Sequence, residues 1–313
     1  MFKEFQQLPL NVKIKMIATN GIEENGIDLG GILRDTLSEF WNTFFEKCTV
    51  GSGTKVPCIR HDFGKNEWEA IAKILCFGYK TEKYFPYKLS KCFIIFCFFN
   101  KVSDLSKNFL LFVGSADSDI IKEALNCLSN EDEFENMEEL IDIVSRYDSK
   151  FLPTKQNLKK LLDEIAHKEF IQKPSYIINL WKPIFKNLLS EEDIENIYKK
   201  CTPTFRNIND NLCLPNTLTK EMINTYEYLK EYLRECNDDM RAKFLRFCTG
   251  ADCLIVNSPI AIQFTNLDGF QRRPISHTCT STLELPTTYN NLPDFREEFN
   301  SILNANFWNV EIA

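Results

Sequence analysis

Apolar residues recur every three or four positions along most of the chain up to Gly250, and only beyond Pro259 does the pattern change to alternation. These two periods belong to helices and strands respectively, because side chains share a helical face at i, i+3 and i+4 but a strand face at i, i+2. The change divides the chain into a long helical part and a short part that mixes helices with strands. This predicts an α+β fold rather than an alternating βαβ one. With 313 residues, two lobes or domains are expected, since single cores stop growing at about 250–300 residues.

The helical period is clearest at Leu33, Leu37, Phe40, Trp41, Phe44 and Cys48, which share one face behind the turn-forming Gly30 and Gly31. A second helix carries Trp68, Ile71, Ala72, Leu75 and Cys76 on its stripe. "CFIIFCFF" (Cys92 to Phe99) is apolar on every side. It falls far short of the ~20 residues that cross a bilayer, so it reads as a helix buried nearly all round. In the acidic stretch that follows, Phe134, Met137, Leu140, Ile141 and Val144 keep the helical period, which predicts a half-exposed helix whose carboxylates face water. Pro153 ends that element. Lys155 to Phe170 reads as another helix, with Leu158, Leu161, Leu162, Ile165 and Ala166 inward and His167 near its carboxyl end.

Thr202 to Leu218, with two prolines and several asparagines, is the best linker candidate. Thr219 is expected to cap a helix reaching about Cys236, with Met222, Tyr226, Leu229 and Leu233 inward. Asp238 or Asp239 is expected to cap the next helix, which Gly250 stops. Ile260, Ile262 and Phe264 alternate as a strand, and Leu283 and Leu285 flank Glu284 in the same manner. Pro293 and Asp294 open a last helix carrying Phe295, Phe299, Ile302 and Leu303.

Charge and cysteine usage exclude several function classes. A net charge of -7, without a basic tail, argues against a surface that binds nucleic acid by displacing counterions. The twelve cysteines are scattered through apolar segments, as reduced thiols of a cytosolic or nuclear protein would be. No C-x-x-C occurs and His61, His167 and His277 lie far apart, so neither a metal nor a cofactor is expected. The amino terminus "MFKEFQQLPL" lacks the basic start and apolar run of a secretory leader. "GIDLGG" lacks the spacing of a dinucleotide fingerprint.

One cysteine differs from the rest in its company. In "RPISHTCTSTLELP" (Arg273 to Pro286), Cys279 lies among Ser276, His277, Thr278, Thr280, Ser281 and Thr282. That is a poor core strand and a good exposed loop between two strands, where chemistry usually sits. Nucleophile, metal ligand and buried apolar residue are its three possible roles. A hydrolase needs a base held against the sulfur and a third group behind it, and no distant His/Asp pair is readable. Thioester exchange needs less. It is nearly balanced in free energy, and an ordinary thiol with a pKa of about 8.5 is already a few per cent thiolate at neutral pH.

These residues resemble a known family. "LRFCTG" (Leu245 to Gly250), then "FTNLDGFQRRPISHTCTSTLELP", then a terminal amphipathic helix is similar to the small carboxyl-terminal lobe of HECT-type E3 ubiquitin ligases. Their cysteine lies in an L-P-x-x-H-T-C-x-x-x-L-x-L-P pattern, matched here from Arg273, where leucine is usual, through Pro286. "GIDLGGILRD" (Gly26 to Asp35) resembles the G-x-D-x-G-G-x-x-R-E segment of the large amino-terminal lobe. The middle of the chain is most similar to divergent HECT-like proteins of the type exemplified by the G2/M-phase-specific ligase.

The resemblance implies a bilobal α+β fold. Its parts would be a large, mostly helical lobe at 1–201 with a shortened E2-binding subdomain at about 100–170, a linker at 202–218, and a small α/β lobe at 219–313. It implies that Cys279 accepts ubiquitin from a charged E2 as a thioester and passes it to a substrate lysine, with no cofactor and no metal. The partners implied are the charged E2, ubiquitin and a protein substrate; neither nucleic acid nor membrane is expected. A HECT-like adaptor that binds E2 or ubiquitin without transfer is the alternative. His277 and Thr278 are assigned to shaping the loop and positioning the donor tail, and Trp308 and Phe307 to the tail that takes part in transfer. Asp268 and Glu284 are the nearby candidates for the carboxylate that assists lysine attack. Arg34 and Asp35 are expected to form a salt bridge or cap that stabilises the large lobe. The HECT-like region begins almost at the first residue, so substrate recruitment is expected from these lobes, from partners, or from a longer protein of which this chain is part.

Overall fold

The computed structural model describes residues 30–130 and 135–305. They fall into two compact units, each assembled from separated stretches of chain. One is built from Asn42–Cys76 and Pro86–Glu195, the other from residues 30–41, Phe77–Phe85 and residues 196–305.

The first unit is helical. It takes the end of α1 (Gly31–Cys48), a short antiparallel pair β1 (Thr49–Val50) and β2 (Val56–Pro57), and most of α2 (Lys65–Glu82). α3 (Lys91–Phe99), α4 (Leu105–Phe112), α5 (Ser115–Asn130), α6 (Met137–Ser145), α7 (Leu158–His167), α8 (Ser175–Phe185) and the start of α9 (Glu191–Cys201) complete it. The Ser90 side chain caps α3 by accepting from the Phe93 N–H, and Asn100 ends it in the left-handed region at φ 56°. Between those stops Cys92, Phe93, Ile94, Ile95 and Cys97 are all buried, as the all-apolar run predicts. The core is aromatic. Trp181, fully buried, donates from Nε1 to the Trp68 carbonyl at 2.9 Å and meets Phe93 and Phe185 edge-on, each at 5.5 Å.

The predicted stripes of α2 and α7 are buried throughout. α7 does not stop at His167; it runs into a π turn at Lys168–Gln172, so His167 lies within continuous helical backbone rather than at a free carboxyl end. In α6, Leu140 and Val144 are buried and Ile143 joins them, while Phe134 lies outside the described residues.

The second unit is mixed. It contains α10 (Phe205–Asn209), β3 (Leu212–Cys213), α11 (Lys220–Glu235), α12 (Asp238–Thr249), β4 (Ile260–Thr265), β5 (Ile275–His277), β6 (Thr282–Pro286) and α13 (Leu292–Leu303), with a 3-10 turn at Gly269–Gln271. The sheet order is β3-β4-β6-β5. β3 and β6 both run parallel to β4, and β5 runs antiparallel to β6. Alternation places Ile260, Ile262, Leu283 and Leu285 in the core with Leu229, Phe244, Phe295 and Phe299 from the helices. Residues 202–218, read from sequence as a linker, here form α10 and the edge strand β3, whose Leu212 pairs with Ile260. The α12 cap is neither Asp238 nor Asp239: Asn237 accepts from the Met240 N–H at 2.9 Å, one residue earlier. Gly250 ends α12 at φ 79°, as expected.

Candidate functional site around the β5–β6 hairpin

β5 is the element that sequence patterning misses, because three residues are too few to show a period. It turns the predicted loop into a tight hairpin. His277 closes β5, residues 278–281 make the turn, and Thr282 opens β6 opposite His277. The turn is held by the Thr280 N–H donating to the His277 carbonyl at 3.2 Å and the Ser281 N–H to the Thr278 carbonyl at 3.4 Å. Ser281 adopts the left-handed conformation, φ 52°. Cys279 occupies the turn, half-buried.

The pairing also fixes what surrounds it. In an antiparallel pair, facing residues share a side of the sheet. Ser276 and Leu283 face the core, while His277 falls on the other side with Glu284, the partner of Ile275. His277 Nε2 lies 3.0 Å from Glu284 Oε1, with both side chains about a quarter exposed. A carboxylate only accepts, so this contact assigns the proton to Nε2. Nδ1 is buried and has no hydrogen-bond partner among the described residues. Of the two candidate carboxylates, the hairpin therefore brings Glu284 to the histidine. Asp268 instead caps the 3-10 turn, accepting from the Gly269 N–H at 2.7 Å.

Thr278 is buried, and the reason is α1. Gly31 packs so closely that a Cβ built on it would lie 2.7 Å from Thr278 Oγ1 and 2.9 Å from the Cys279 nitrogen. Three residues on, and so on the same helical face, Arg34 is buried and donates from Nη2 to the Thr278 carbonyl at 2.6 Å. Its Nε donates to the Thr249 carbonyl at the end of α12, at 2.7 Å. Glu82 balances the charge at 3.7 Å. Asp35 pairs with Arg246 of α12 at 2.7 Å, and Glu39 with the same guanidinium at 3.0 Å. Salt bridges were expected at Arg34 and Asp35. Arg34 has its ion-pair partner, Glu82, within 1–201, whereas the partner of Asp35 lies on α12 and the Arg34 guanidinium also bonds the hairpin. The signal was present as the i, i+3 spacing of Gly31 and Arg34, but a helical motif does not say what its face will meet.

Most other thiols of this unit are sealed. Burial pushes Cys248 and Cys253 well above the ordinary thiol range and Cys201 up to about 12. Burial also raises the half-buried Cys236, whereas Cys213 is exposed on β3. Trp308 and Phe307 lie outside the described residues.

Among the described residues no cluster of His, Cys, Asp and Glu is arranged to hold a metal ion, and no helix is long and apolar enough to cross a membrane.

A small mixed sheet backed by helices, with Cys279 on a hairpin turn, defines an α+β unit. Residues 186–306 match the family model of the HECT domain, a ubiquitin-transferase. The carboxyl-terminal part of the chain is thus similar to a HECT-type ubiquitin-ligase domain. Ubiquitin transfer is the activity that this family implies in general, with E2 enzymes, ubiquitin and protein substrates as its general partners. A comparison with curated proteins returned no significant match.

Proposed function

We propose that the chain is a HECT-type E3 that takes ubiquitin from a charged E2 onto Cys279 and passes it to a substrate lysine. One observation carries this reading. Within the stretch matched to the family, Cys279 is the thiol on a structured turn between two paired strands, whereas Cys201, Cys248 and Cys253 are buried. A thiolate is the nucleophile in such exchange, and burial in apolar surroundings suppresses it.

The chemistry balances without a cofactor. The Cys279 thiolate attacks the E2 thioester carbonyl, the new C–S bond forms, and the E2 sulfur leaves as a thiolate. In the second step a lysine amine attacks, the C–N bond forms, the Cys279 sulfur departs, and the amine loses a proton. Lysine is cationic at neutral pH, with an ordinary pKa of about 10.4, so a nearby acceptor for that proton speeds this step. Glu284, paired with His277, is the carboxylate of the hairpin that suits the role. His277 and Thr278 shape the turn, and Phe307 and Trp308 act in transfer from the tail.

The charged E2 docks within about 100–170. Support comes from the large apolar side chains exposed there, Leu111 at 62%, Phe151 at 65% and Leu152 at 65%, since apolar surface rimmed by polar residues marks interaction sites. A movement of the unit that carries Cys279 lets one cysteine meet both E2 and substrate. The protein works in the cytoplasm or nucleus.

The test combines the protein with E1, a panel of E2 enzymes, ubiquitin and ATP. A thiol-sensitive adduct of one ubiquitin mass is expected on a non-reducing gel. It disappears in Cys279→Ala and persists in Cys248→Ala. Absence of the adduct with every E2 replaces this reading with that of a binding adaptor.

A further inference from the structure

Arg34 belongs to the sequence motif at the other end of the chain from Cys279, yet its guanidinium spans two backbone carbonyls, one ending α12 and one immediately before the cysteine. We infer that Arg34, with Gly31, is a positioning residue for Cys279: the pair clamps the hairpin turn onto α1 and so sets where the sulfur is presented. The inference rests on the reading of Cys279 as the ubiquitin acceptor.

A buried arginine is costly unless its donors are used, and this one is spent on Thr249 and Thr278 rather than on a side-chain partner at bonding distance; Glu82 stands off at 3.7 Å. Lysine cannot replace the planar fork, because one ammonium does not reach two carbonyls in fixed directions. Gly31 supplies the room. Its missing Cβ would also lie 3.0 Å from the Thr278 carbonyl carbon, so backbone would have to move to admit a side chain. The two backbone hydrogen bonds within the turn are long, at 3.2 and 3.4 Å, whereas the Arg34 bond to the Thr278 carbonyl is 2.6 Å. The Arg34 bond ties the start of the turn, residue 278, to α1, while the Ala261 N–H, donating to the Ser281 carbonyl at 2.9 Å, ties its end to β4.

α12 is held to the same helix by independent bonds. Ser38 Oγ donates to the Gly250 carbonyl at 3.0 Å and accepts from the Asp252 N–H at 3.1 Å. Loss of the Arg34 fork therefore frees the turn more than it frees α12. Transthiolation needs the sulfur aligned with the acyl carbon, so a wandering turn lowers the rate of the chemical step and leaves E2 recognition alone.

The experiment uses the full chain in single-turnover loading from ubiquitin-charged E2, over a range of E2 concentrations, for Arg34→Lys and Gly31→Ala. Both are expected to lower the saturating loading rate about 10- to 100-fold, with the half-saturating E2 concentration unchanged. Gly31→Ala is the stringent variant, since alanine strengthens the helix it enters and a slow rate then has no origin in a melted α1. Alkylation of Cys279 by iodoacetamide, followed by mass spectrometry, should change in both variants in the absence of any E2. Wild-type loading rates in both variants overturn the inference, and so does a rate loss that merely tracks the unfolded fraction measured by circular dichroism. A ubiquitin adduct that survives Cys279→Ala is a different failure. It removes the acceptor assignment itself, whatever Arg34 does.

Discussion

The two compact units use the same residue type in opposite ways. In the helical unit, Cys92 and Cys97 fill a helix that is apolar on all sides, and burial pushes their thiols up, Cys92 to about 11 and Cys97 well above the ordinary thiol range. In the mixed unit, Cys248 is sealed in the same fashion, yet Cys279 stands on a turn among polar neighbours. A helix buried all round has no place to present a side chain. A hairpin does, because its turn projects beyond the paired strands while the strands stay anchored in the core. Composition alone does not distinguish the thiols; the element under each one does.

Breaking each core separately is the strongest test of that contrast. Trp181→Ala, which also leaves the Trp68 carbonyl without its donor, and Phe295→Ala, which empties the stack with Phe299 at 4.5 Å, should each cost about 3–5 kcal/mol. Urea unfolding followed by circular dichroism reads this. Phe295→Ala should also abolish iodoacetamide protection of Cys248 and leave that of Cys97, if the units hold their thiols independently.

Alkali provides the next test. Cys97 and Cys248 keep their protons in the folded state to well above the ordinary thiol value of 9.0. The unfolded chain therefore loses these protons first as pH rises, so their stabilisation is complete below about pH 8.5 and falls above pH 9. Removing one such thiol, as in Cys248→Ala, should reduce the slope of stability against pH by about 1.4 kcal/mol per unit between pH 9.5 and 10.5.

Smaller effects sharpen the comparison at the helix ends. Asn237→Ala should cost about 1 kcal/mol, and Asn237→Asp almost nothing, because either side chain accepts from the Met240 N–H. Lys101→Ala, at an exposed pair with Glu191 in the helical unit, should change stability by no more than about 0.5 kcal/mol.

Much of the helical part was legible in advance because a long amphipathic helix writes its buried face into the sequence. The stripes of α2 and α7 and the burial of Cys92 to Ile95 and Cys97 in α3 follow from spacing alone. β4 and β6 were legible for the same reason at period two. The errors have local causes. β5 and β3 are too short to show a period. Asn237 caps α12 ahead of the two aspartates because it alone has the extended backbone, ψ 173°, that a cap requires. Residues 202–218 looked like a linker from their prolines and asparagines, although three-dimensional pairing with Ile260 and Ala261 draws part of them into the sheet.

The motif around Cys279 was found by its polar company and by its resemblance to HECT ligases, and it lies within the stretch 186–306 that matches the model of that family. The sequence by itself determined the α+β class, the stripes that build both cores, and the singular position of Cys279 among twelve cysteines. Only the tertiary structure decided that His277 meets Glu284 and that Arg34 and Gly31 grip Thr278. Periodicity records which face of an element is buried, but the partner of that face is chosen by packing between residues far apart in the chain, here 244 positions from Arg34 to Thr278.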